Sequence, residues 1–101
     1  VSPRASHRHG SGLHYVYRIQ SVSHPDHEWI DTTSNVKARV SLHNHGKVEE
    51  TREFAPWALT FYAAFPDIGH AKHFCRFLRS EPGHAFGRKH LWGRLEHHPG
   101  L

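Results

Sequence analysis

The sequence predicts an α+β fold, a three-stranded antiparallel sheet flanked by helices in the order β-β-α-β-α-α. Three observations lead there. Tyr15, Tyr17 and Ile19 alternate with other residues, which is the period of a strand with one buried face. Residues 57–65 form a second, almost uncharged run opened by Pro56. Ile68, Ala71, Phe74, Cys75 and Leu78 recur at helical spacing, as the apolar stripe of a helix laid on a sheet does.

Each element follows from its own residues. Residues 1–13 are polar, basic and punctuated by Pro and Gly, so they read as a flexible lead-in. His14 to Gln20 is the first strand. His24-Pro25-Asp26 is a turn signal, and Glu28 to Thr32 makes the second strand of a hairpin. Thr33-Ser34-Asn35 supplies capping side chains, Val36, Val40 and His43 follow at helical spacing, and Gly46 stops that helix. Lys47 to Ala55 is charged and predicts a loop. In the next strand Trp57, Leu59, Phe61, Ala63 and Phe65 share one face by simple alternation. Ala58, Thr60, Tyr62 and Ala64 take the other, and none is charged, so the strand is expected to be central and covered on both sides. Pro66-Asp67 breaks and caps before the striped helix. Glu81-Pro82-Gly83 reads as a break. Ala85 to Trp92 reads as a last short helix or turn with Phe86 and Leu91 inward, and residues 93–101 as a frayed tail. The folded domain is thus expected over residues 14–92.

Composition narrows the function classes. The chain has 101 residues and is 37% hydrophobic, enough for one modest core. No apolar run reaches the ~18–20 residues of a membrane span, and the polar start carries no signal-peptide pattern. The single cysteine, Cys75, excludes an internal disulfide framework and points to the cytoplasm. A net charge of +4 favours an acidic partner, of which nucleic acid is the commonest. The charge gathers late in the chain: from Gly69 to Arg94, Lys72, Arg76, Arg79, Arg88, Lys89 and Arg94 face one acid, Glu81. Thirteen histidines are present, but His7-x-His9, His43-x-His45 and His97-His98 are isolated pairs without the spacing of a zinc site.

One helical pair carries chemistry. Arg39 and His43 stand at i and i+4 and meet on one helix face. A permanent cation beside a group that titrates near neutrality suits a phosphate.

The wider pattern resembles the GIY-YIG nuclease superfamily, in particular its stand-alone bacterial branch. Tyr15-Val16-Tyr17 followed by Trp29-Ile30-Asp31 is similar to the paired motifs that name it. Thr33, Asn35, Val36, Lys37, Arg39, His43, Asn44 and Gly46 are similar to that branch's first-helix run. Pro56-Trp57-Ala58-Leu59 resembles its next strand, and the spacing from Ala71 through Phe74, Arg76, Leu78 and Arg79 to Gly83, Ala85, Phe86 and Lys89 resembles its last segment. The resemblance implies Mg²⁺- or Mn²⁺-dependent hydrolysis of a DNA phosphodiester. It assigns Tyr17 to help deprotonate the attacking water, Arg39 to steady the phosphate and His43 to assist proton transfer. It also calls for a glutamate that binds the metal.

Here the sequence departs from the pattern. Cys75 stands at the glutamate's position, Trp29 at the second tyrosine's and Asp31 at a glycine's. Mg²⁺ prefers hard oxygen ligands to a thiol, and indole offers only a donor. Glu53 and His84 replace residues that the branch tends to have basic. The expected protein is therefore a DNA-binding domain with impaired or lost cleavage, using Lys72, Arg76, Arg79, Arg88 and Lys89 on the nucleic acid. Two alternatives stand beside it. One is an active Mg²⁺- or Mn²⁺-dependent endonuclease with a relocated carboxylate, Asp31 or Glu28. The other is a non-catalytic interaction or metal-binding protein on the same scaffold, in which Cys75 and His43 could form a soft-metal site.

Overall fold

The computed structural model describes residues 12–93. The lead-in expected over 1–13 and the tail expected over 93–101 fall almost wholly outside them. The elements are β1 (His14–Ser21), β2 (Glu28–Thr33), α1 (Val36–Asn44), a short 3-10 helix (Glu49–Phe54), β3 (Trp57–Phe65), α2 (Ile68–Arg79) and α3 (Glu81–His90). The strands form one antiparallel sheet in the order β2-β1-β3. The α+β class and the element order match expectation, with a 3-10 helix where a plain loop is predicted. No helix among the described residues is long and apolar enough to cross a membrane.

Successive side chains of β1 point to opposite faces of the sheet, and each face carries its own core. On one side Val16 and Ile30 pack with Ala71, Cys75 and Leu78 of α2 and with Trp92. On the other, Tyr17, Ile19 and Trp57 pack with Trp29 and with Val36 and Val40 of α1. The sheet is thus sandwiched between α1 and the α2–α3 pair.

β1, not β3, is the middle strand, which corrects the expectation for residues 57–65. The central-looking composition of β3 comes from a bulge. Arg18 pairs with Phe61 and Ile19 with Leu59, so Thr60 has no partner and the alternation of β3 changes parity there. Trp57 and Leu59 lie on the α1 side, while Phe61, Ala63 and Phe65 lie on the α2 side. The five residues do not share one face. A strand that serves two cores on an edge shows the same uncharged composition as a central one.

The helices begin and end where side chains satisfy the free backbone groups. Asn35 Oδ1 accepts from Ala38 N at 3.0 Å, and Asp67 Oδ1 accepts from Gly69 N at 2.7 Å. Gly46, at φ 71°, closes α1: its N–H donates to His43 O and Lys47 N–H donates to Leu42 O. Ser80 joins α2 to α3, donating through Oγ to Phe77 O and accepting from Gly83 N. Glu81-Pro82-Gly83 is therefore the first turn of α3 and not a break, since Pro needs no N–H partner there. The inner face of α3 is Gly83 and Gly87. Phe86 is turned outward at 42% exposure against Phe77, contrary to the inward expectation, while Leu91 packs against the core.

Candidate functional site

Tyr17 lies at the centre of the sheet, with Asp31 opposite it on β2 and Tyr62 opposite it on β3. α1 covers this row and brings His43 onto it. Tyr17 Oη and His43 Nε2 are 2.7 Å apart, and His43 Nδ1 is 2.7 Å from Thr51 Oγ1. Thr51 Oγ1 donates to Val48 O at 3.3 Å, so it accepts from His43 Nδ1–H. That leaves Nε2 unprotonated, and the Tyr17 hydroxyl donates to it. The relay runs one way, from Tyr17 through His43 and Thr51 to a backbone carbonyl.

The 3-10 helix that carries Thr51 is fixed from two sides. Trp57 Nε1 donates to Thr51 O at 2.9 Å. Asn44, the last residue of α1, accepts from Trp57 N and donates to Trp57 O, as a neighbouring strand would. The His-Asn pair thus couples the relay to the start of β3. Sequence reasoning misses Thr51. Its only signal is an uncharged residue among Glu49, Glu50, Arg52 and Glu53.

Tyr17, His43 and Thr51 are essentially without exposed surface. Burial pushes the Tyr17 hydroxyl above 10, opposed by the Arg39 guanidinium and reinforced by Asp31. Burial, and next the Arg39 charge, hold His43 below 6.5, against Asp31 and Glu50. Both groups are therefore neutral near pH 7. An attacking water has no path to the Tyr17 hydroxyl in this conformation. Of the three residues assigned to catalysis, only Arg39 is partly exposed.

The altered positions lie around the β2 edge. Asp31 Oδ1 accepts from Thr32 N at 2.8 Å and sits 3.9 Å from Arg79 Nη2. The Arg79 guanidinium donates to Ile30 O and stands 5.8 Å from the Trp29 ring. Cys75 is on the sheet face opposite His43, with Sγ 3.9 Å from Ile30 O, so these two cannot share a metal. Burial pushes its thiol above 9, with Arg79 opposing, and it stays protonated near neutrality. Glu28 also points to the α2–α3 side. It pairs with Arg18 Nε at 2.6 Å and with His84, away from Tyr17.

These residues do not fit Mg²⁺ or Mn²⁺. The thiol is soft and protonated, and the Asp31 carboxylate beside Tyr17 is held by a backbone N–H and faces a guanidinium. Among the described residues, no three His, Cys, Asp or Glu side chains converge as a metal site.

The basic residues divide into two groups. Lys72, Arg76 and Arg79 are exposed at i, i+4 and i+7, one stripe along α2. Arg88 and Lys89 are exposed on α3. Arg79 and Arg88 line one groove, but Glu28 and Glu81 line it too. Set against known proteins, the chain matches no family model and no curated protein.

Proposed function

We propose that this chain is a nucleic-acid-binding domain of GIY-YIG nuclease ancestry whose metal-dependent cleavage is impaired or lost. One observation carries the reading. Tyr17 and His43 lie in hydrogen-bond contact with Arg39 beside them, and a buried neutral thiol, Cys75, stands at the sequence position where the resembled pattern has its metal-binding glutamate. The closed relay agrees, because its groups satisfy one another and face no solvent. Without the metal, the stabilisation and nucleophile activation it supplies are absent, worth several kcal/mol. Each ~1.4 kcal/mol is tenfold in rate.

The exposed stripe of Lys72, Arg76 and Arg79 supports phosphate binding with little sequence preference. Titrating labelled linear and branched DNA at low salt tests this, with a saturable anisotropy change expected for wild type. No binding at low salt rejects it.

The second reading, an active endonuclease with Asp31 as its metal carboxylate, has the place of Asp31 beside Tyr17 in its favour and the Thr32 N–H and Arg79 contacts of that carboxylate against it. Supercoiled plasmid with Mg²⁺ or Mn²⁺ separates the two. Nicking by wild type that Asp31→Asn abolishes favours the second reading.

A further inference from the structure

We infer that the groove between α1 and the outer edge of β3 is a nucleobase-stacking site, and that the nucleic acid bound here is single-stranded or locally unpaired. This rests on the nucleic-acid reading above and specifies the form of the ligand.

Three observations single out this groove. Tyr62, opposite Tyr17 in the sheet, is 57% exposed, and Leu59 beside it is 40% exposed. Among the described residues β3 is an edge strand, with β1 as its one partner. Tyr15 meets Tyr62 edge to face, with ring centroids 6.2 Å apart, which holds the Tyr62 ring while leaving a face free. The groove has a volume of about 650 Å³ and is walled by Tyr15, Leu59 and Tyr62 from the sheet and by Val36, Lys37 and Val40 from α1.

Charge selects the occupant. Among the described residues that line the groove, Lys37 is the one charged side chain, and it is exposed. An aromatic platform with a cation at its rim matches a base joined to its phosphate. The groove near α3 lacks this match, because Glu28 and Glu81 line it. A base inside a duplex has both faces stacked, so only an unpaired one can lie on Tyr62.

The test is a low-salt anisotropy titration of a labelled oligothymidylate and a labelled duplex of equal length. Tyr62→Ala is expected to weaken the single-strand complex about tenfold, since stacking on one aromatic is worth ~1–3 kcal/mol per base, and to leave duplex binding unchanged. Tyr62→Phe keeps the ring face and is expected to bind like wild type. Lys37→Gln, at an exposed helix position, is expected to weaken both complexes and flatten the salt dependence. Equal loss on both probes with Tyr62→Ala, or no loss, overturns the groove and leaves the nucleic-acid reading intact. Failure of wild type to bind either probe overturns both. A lower molar mass for Tyr62→Ala in light scattering, with titrations unchanged, places a second copy of the chain in the groove and overturns the proposal.

Discussion

His43 has no exposed surface and both ring nitrogens engaged, and this sets its response to acid. Its native pKa lies below 6.5, so on acidification the unfolded chain takes up a proton that the native state resists. The stability it supports is complete above pH 6.5 and is lost as pH falls through the lowered native value. Tyr17 and Cys75 shift the other way, from 10.0 and 9.0 upward. Their share is complete below those values and is lost as pH rises through the raised ones. Urea midpoints across pH are expected to fall toward acid in wild type and to fall less steeply in His43→Gln; an unchanged slope rejects the assignment. Tyr17→Phe leaves Nε2 of His43 unpaired in a dry site and is expected to cost about 1–3 kcal/mol in urea unfolding. Tyr17 and His43 are legible in sequence, one by strand alternation and motif, the other by its i+4 place after Arg39. Thr51 is not, because its contact comes from a charged segment with no period to place it.

α3 approaches the rest of the molecule through its glycines. A Cβ on Gly83 would lie 1.7 Å from Phe77 O, and one on Gly87 would lie 2.0 Å from the Trp92 ring. Gly83→Ala collides with backbone and is expected to cost about 3 kcal/mol or more, and Gly87→Ala about 1–3, because a side chain can yield. Thermal unfolding reads both. Under α3, Arg18 is 6% exposed and bonds to Glu28, Gln20 and Thr60, with its guanidinium 4.6 Å from the centre of the Trp92 ring. Glu28→Gln leaves that cation without its carboxylate, and removing one partner of such a pair costs about 3 kcal/mol. Unfolding in urea is expected to show this loss, and no change would contradict the role of the pair. The sequence period reveals β1 and α2, the turn at His24-Pro25-Asp26 reveals β2, and the caps at Asn35 and Gly46 reveal α1. The period puts the side chains of β3 on one face, because Thr60 shifts the alternation midway, and it places the strand centrally, because serving two cores leaves it uncharged. It misreads the start of α3, because Pro82 and Gly83 signal a break unless Ser80 is recognised as the cap.

The sheet separates two chemistries. The α1 side holds the closed Tyr17–His43–Thr51 relay with the Tyr62 groove beside it, and the α2–α3 side holds the Arg18–Glu28–His84 cluster and the exposed basic stripe. On the proposed reading, loss of cleavage at the first leaves phosphate binding at the second in place. Arg76→Ala is expected to weaken binding of all sequences alike and to lower the salt slope by about one; a sequence-dependent loss would contradict a backbone contact. The most direct measurement incubates wild-type protein with labelled branched DNA, Mg²⁺ and low salt, then resolves free, bound and cut species on native and denaturing gels. The predicted result is DNA that is shifted but full length. DNA left unshifted, or DNA cut efficiently, would contradict a binding domain that has lost its nuclease chemistry.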